Sequence, residues 1–201
     1  MAAYYYKNNK IITPFTVASN EPVFDMTTIS LKTQRASQGH QRWELTFNVV
    51  LETSDAPSML LNLINSNSNA DTMIMPQLPD VANRYTVSGP LTISSADLAN
   101  VTSVTVDPSL ATGILPKGSF IKLSNLDKLY MVQGDVDLTG TLPVLISIYP
   151  SLRKAVTLSE TVVHGDGVIF THYRVIDQAT NITFTDGVLS DPGTITLVEA
   201  I

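Results

Sequence analysis

The residues whose types and spacing come closest to doing chemistry are the run Asp135-Val-Asp-Leu-Thr-Gly140 and the run His164-Gly-Asp-Gly167. The first opens like a calcium loop, with oxygen-bearing side chains at positions 1, 3 and 5 and glycine at position 6. A calcium loop also needs a bidentate Glu at position 12, which here falls on Ile146 inside a strand-like stretch, and Pro143 interrupts the approach. A hairpin turn kept soluble by two aspartates is the better reading. The second run offers a His/Asp dyad, and Ser159 or Ser190 would complete a hydrolase triad on paper. No Gly-x-Ser-x-Gly elbow accompanies it, and nothing fixes the geometry of an Asp two residues from a His on a glycine-rich turn.

Other candidates are weaker. His40, His164 and His172 lack a spacing such as His-Glu-x-x-His, so each reads as a structural histidine rather than a metal ligand. Trp43 could stack on a sugar, but it is in phase with Leu45, Phe47 and Val49, which places it in the core. Tyr4-Tyr-Tyr6 is the better exposed aromatic patch, the alternative being an irregular terminal strand. Met73-Ile-Met75 is either core filler or an adaptable contact surface. No catalytic, cofactor-binding or metal-binding residue is assigned on these grounds.

The composition narrows the function classes. The 201 residues are 44% hydrophobic and 15% charged, enough for a buried core and against disorder. Ser, Thr, Asn and Gln are left to cover much of the surface, which suits a chain whose faces are covered by neighbours. A net charge of −6, with no basic cluster longer than Arg153-Lys154, disfavours nucleic-acid binding through phosphates. The absence of cysteine excludes disulfides, thiol nucleophiles and thiolate metal sites. The segment Met1-Ala-Ala-Tyr-Tyr-Tyr-Lys-Asn-Asn-Lys10 leads into no apolar run of signal-peptide length, and no later run approaches membrane-spanning length. The expectation is a protein made in a cytoplasm, without membrane or nucleic-acid partners, and soluble until it assembles.

The elements that must position these residues are mostly strands. Residues 42–53 alternate Trp43, Leu45, Phe47, Val49 and Leu51 with Arg42, Glu44, Thr46 and Asn48, the pattern of an antiparallel strand with one buried face. Residues 11–17 and 27–35 also read as strands, and the turn Gln38-Gly39-His40 predicts a hairpin between 27–35 and 42–53. One helix follows: Asp55 as its cap, Pro57 in the first turn, and Met59, Leu60, Leu63 and Ile64 as its apolar stripe, ending in Asn65-Ser-Asn-Ser-Asn69. Short strands at 104–106, 114–123, 128–133 and 142–149 suggest a meander closing into a small barrel. Residues 168–176, 182–185 and 194–199 return to the first sheet. The last strand uses Ile195 and Leu197 as its buried steps, with Glu199 as an exposed one. The predicted fold is mainly β: an antiparallel β-sandwich or sheet domain with one short helix and an inserted small β-barrel. Its domains are a discontinuous main β domain, residues 1–89 plus 158–201, and an inserted barrel, residues 90–157.

Three stretches together resemble a family of structural proteins from the tail tip and baseplate of tailed bacteriophages, distal-tail-like in type. They are Ser30-Leu-Lys-Thr-Gln-Arg-Ala-Ser-Gln-Gly-His-Gln-Arg-Trp-Glu-Leu-Thr-Phe47, then the barrel pieces Leu115 to Leu123, Lys128 to Val132 and Ile146 to Arg153, and the terminal strand ending Val198-Glu-Ala200. They fall along the chain in the expected order. Where those proteins commonly have Gly-Asp after the barrel turn, this chain has Gly118-Ser119, which still supplies the turn glycine. The resemblance implies a virion subunit of the tail, made in the bacterial host cytoplasm and forming a homo-oligomeric ring that joins tail tube to baseplate or fibres. Its partners would be other tail and baseplate proteins, and it brings no catalytic residues or cofactors. Alternatives are a carbohydrate-binding β module and a head-tail connector or capsid decoration protein.

Overall fold

The computed structural model describes residues 5–27, 33–37, 40–175, 180–186 and 189–201. Strand β1 (Tyr5–Tyr6) turns into β2 (Asn9–Asn20) through Lys7 and Asn8, whose φ angles of 48° and 67° are the two left-handed residues of a tight hairpin. β2 is bulged between Ile12 and Thr16, where Pro14 has no N–H to give to a ladder. Next come β3 (Val23–Thr27), β4 (Thr33–Ser37), β5 (Arg42–Val49), β6 (Leu51–Glu52), helix α1 (Ala56–Ser68) and β7 (Asp71–Ile74).

The expected hairpin between 27–35 and 42–53 does not form. β3 pairs with β4, and β5 is flanked by β2 and by the final strand of the chain, two longer partners that match its alternation. The predicted turn residues Gln38 and Gly39 lie outside the described residues. Along β5 the alternation holds as read: Trp43, Leu45, Phe47 and Val49 are buried, each worth roughly 1.5–3 kcal/mol by area removed from water.

Helix α1 starts one step differently from expectation. A 3₁₀ turn, Thr53–Asp55, runs straight into it, so Asp55 already has helical backbone angles and its side chain makes no cap hydrogen bond. Pro57 does sit at its start. The buried face is Ala56, Met59, Leu63 and Ser66, while Ile64, expected in the stripe, is exposed.

A second helix, α2 (Pro79–Arg84), was not anticipated, because six residues are too few to show a period. The strands of the barrel unit follow: β8 (Leu91–Ile93), β9 (Ser103–Asp107), β10 (Ile114–Leu115), β11 (Phe120–Leu123), β12 (Leu129–Val132), β13 (Val136–Asp137), β14 (Val144–Tyr149) and β15 (Thr161–His164), with β10 and β13 pairing in a two-stranded sheet of their own. The turn at Lys117-Gly118, with Gly118 at φ 85°, splits the expected strand 114–123 into β10 and β11, which join different sheets. The barrel is closed, in the order β11-β12-β14-β9-β8-β15, so it is not a meander: β9 returns between β14 and β8, and β15 closes the ring against β8 and β11. Leu91, Val104, Val106, Ile121, Tyr130 and Ile146 are among the side chains that fill it.

The chain then makes β16 (Ile169–Arg174), β17 (Thr183–Thr185), β18 (Leu189–Asp191) and β19 (Thr194–Glu199). The described chain divides into two compact units, residues 72–171 and residues 5–71 with 172–201. The barrel unit is therefore wider than the expected 90–157, since β15 lies beyond residue 157 and α2 before residue 90. In the sheet unit the strand order is β1-β2-β5-β19-β16, and a smaller sheet runs β17-β18-β6. β19 is hydrogen-bonded on both sides, which makes the end of the chain a central strand rather than an edge.

Candidate functional site

The two runs that suggested chemistry are built as turns. Asp135 accepts the backbone N–H of Lys117 at 2.7 Å and binds Arg84, and these contacts hold its carboxyl below the usual carboxylate range. Asp137 accepts both the hydroxyl and the N–H of Thr139, which lowers it likewise. With Val136-Asp137 paired to β10, the aspartates serve ladder and turn and do not surround a cation. Among the described residues no group of three or more His, Asp or Glu side chains could hold a metal.

His164 is occupied at both ring nitrogens. Its Nε2 donates to the Gly89 carbonyl at 3.1 Å, which leaves Nδ1 to accept the Tyr85 hydroxyl. Burial pulls its pKa down despite the Gly89 bond, and burial and then the Asp166 charge push Tyr85 up to about 12. Gly165 is required here, because it has φ 62° and a Cβ on it would stand 2.8 Å from the Tyr85 hydroxyl. The arrangement locks a neutral imidazole as a strut. Ser190 is buried and bonds the Leu51 carbonyl.

The remaining candidates separate cleanly. Trp43 is buried, so it offers no sugar platform, and its backbone N–H donates to the Glu199 carboxylate at 3.1 Å. Of the tyrosine run, Tyr4 lies outside the described residues, Tyr5 is 54% exposed and Tyr6 is buried. Met73 and Met75 are core, with only Ile74 between them exposed. His40 is exposed.

Sequence reasoning missed a polar corner within the core of the sheet unit. Glu199, expected as an exposed step, is fully buried and stands opposite His172, with Arg174 buried opposite Leu197. Arg174 donates to the Thr180 hydroxyl at 2.6 Å, and the Tyr6 ring packs 5.9 Å from His172 and edge-on to Phe47. Burial drives His172 down to about 4, opposed by Asp71 and helped by Lys7, while burial followed by Asp71 raises Tyr6 to about 12. Lys7 and Asp71 are ion-paired at 2.6 Å. Residue parity was the signal: 195, 197 and 199 share one face of a strand, as do 170, 172 and 174.

The exposed features are of another kind. Among the described residues β1 pairs with β2 at Asn9 and Lys10. Among the described strands the β3–β4 hairpin pairs only with itself, and every residue of β3 is exposed, with Phe24 at 68% and Met26 at 63% on one face. A polar cleft of about 310 Å³ lies between the β1–β2 turn and α1. In the barrel unit a shallow groove of about 520 Å³ runs past Val81, Met131 and Val132, where Arg84 is already engaged by Asp80 and Asp135. Among the described residues no helix is long and apolar enough to cross a membrane. No known family model matches the chain, and no curated protein does.

Proposed function

We propose that this chain is a non-enzymatic structural subunit of a homo-oligomeric assembly, a ring component of a bacteriophage tail or baseplate. The observation that carries the reading is the β3–β4 arm. An isolated two-stranded hairpin is marginal in water, and this one also holds Phe24, Met26 and Val23 out to solvent. Such an arm gains a core when a neighbouring subunit covers it. The engaged state of Asp135, Asp137, His164 and Ser190 fits a protein that works by contact area. The tail assignment rests on the resemblance of residues 30–47, the barrel pieces and the terminal strand.

Mass photometry of the full chain, alone and as the double variant F24S/M26S, tests the assembly. The unmodified chain is expected to form a discrete ring, and the variant a monomer with an unchanged melting temperature. A wild-type chain that stays monomeric at the highest soluble concentration, or an arm variant that assembles normally, would overturn the reading. Mass spectrometry of purified phage particles encoding the chain tests its place in the tail.

A further inference from the structure

We propose that the cleft beside α1 in the sheet unit binds a neutral sugar residue, the monosaccharide unit of a glycan. It is walled on one side by Asn8 and Asn9 of the β1–β2 turn and on the other by Asp55, Ser58 and Asn62 of the first helical turns. The helix residues follow an i, i+3, i+7 spacing, so they share one face, and the turn opposite is fixed by two left-handed residues. The walls are held before any ligand arrives.

The chemistry of the lining selects the ligand. The Asn8 and Asn62 amides and the Ser58 hydroxyl both donate and accept, the Asn9 amide already gives one proton to the Lys7 carbonyl at 3.0 Å, and one carboxylate accepts, which is the complement of adjacent hydroxyl groups that each do both. Asp55 is suited to that role because it makes no cap hydrogen bond to the helix it precedes. Lys7 also borders the cleft, but its ammonium is already matched by Asp71 at 2.6 Å, so no surplus cation draws in a phosphate or carboxylate. A single carboxylate is too few for a metal site. Met59 closes the floor of the cleft from within the core and is only 1% exposed, so recognition rests on the polar groups of the walls. The volume of about 310 Å³ is at the small end of ligand sites, which suits one sugar ring rather than a long oligomer. None of these residues belongs to the β3–β4 arm, so the inference stands or falls separately from the assembly.

The test is saturation-transfer NMR on the full chain with glucose, galactose, N-acetylglucosamine and rhamnose, and with inorganic phosphate as the anionic probe. At least one neutral sugar should take up saturation, and phosphate should neither bind nor compete. Asp55→Ala and Asn62→Ala should each weaken binding at least tenfold. Asn8→Gly removes an amide while keeping the left-handed turn, so its loss of binding at an unchanged melting temperature separates recognition from folding. Absence of transfer to all four sugars, competition by phosphate, or full binding by the folded Asn8→Gly protein would overturn the proposal.

Discussion

The barrel unit and the sheet unit solve the same problem, a β-sheet in water, in opposite ways. In the barrel each of the six strands has two neighbours, so no edge is left. Among the described residues the sheet unit extends a two-stranded arm whose strand β3 is exposed along its length, and it puts His172, Arg174 and Glu199 into its core. Among the described residues the barrel unit buries one charged side chain, Lys128. A closed sheet is finished by its own chain. In the proposed assembly the apolar arm is covered by a neighbouring subunit, and the buried charges in the sheet core keep its register particular, because a one-residue slip would strand them on the wrong face.

The largest expected effect comes from ending the chain before Thr194. That removes a central strand and with it Ile195, Leu197 and Glu199, which leaves β5 and β16 without their shared partner. The sheet unit should unfold, while barrel amides keep slow hydrogen exchange measured by mass spectrometry. Equal loss of protection in β8, β9 and β14 would break the contrast between the units. Next in size is Trp43→Ala, which empties a buried site and should cost about 3–5 kcal/mol in urea unfolding. A variant that melts like the wild type would show that the β5 face is not the core of the sheet unit.

How much of this was legible depends on whether local pattern and residue type agreed. They agree along β5, where apolar parity and burial coincide, and in the short barrel strands such as Ser103–Asp107 and Val144–Tyr149. They conflict at Glu199, where parity says inside and charge says outside, and parity is right because the carboxylate meets the Trp43 N–H. β15 carries no sequence reading because Thr-Val-Val-His is only four residues long, and its partners in the closed ring make it a strand. The strand read at 27–35 overlaps the arm, but the arm's exposure could not be read. Val23, Phe24 and Met26 have the composition of a buried strand, and no sequence pattern distinguishes a face kept for its own core from one held out for a neighbour. The cleft joins residues 8–9 to 55–62, a juxtaposition only the fold provides.

A smaller effect, and one that sharpens the comparison, is the pH response of the sheet unit. The folded protein holds His172 at about 4, below the 6.5 of an unfolded histidine, so the unfolded chain binds the proton more readily between those values. This contribution to stability is therefore complete above about pH 6.5, falls as pH drops, and is lost at about pH 4. The span corresponds to at most about 3 kcal/mol. Urea unfolding at pH 7 and pH 4.5 should show the loss in the wild type, and His172→Phe should flatten most of it. If the slope persists in that variant, the acid sensitivity belongs to another group.

The smallest effect is expected in the barrel, at the strut between Tyr85 and His164. Tyr85→Phe removes the hydroxyl donated to His164 Nδ1 but keeps the ring against Gly165, so the cost should be that of one part-buried hydrogen bond, about 1 kcal/mol. The donated proton favours the neutral imidazole, and the Gly89 carbonyl holds Nε2–H in either form. Without Tyr85 Oη, water or a second proton can reach Nδ1, and the pKa of His164 should rise toward its ordinary value, followed by NMR titration of the ring protons. The sign then fixes where stability goes: a less depressed histidine loses less as pH falls, so the variant should be weaker than the wild type at pH 7 and closer to it in acid. A His164 that titrates unchanged in Tyr85→Phe would mean that burial alone sets its protonation, and the strut would then be packing rather than a hydrogen bond.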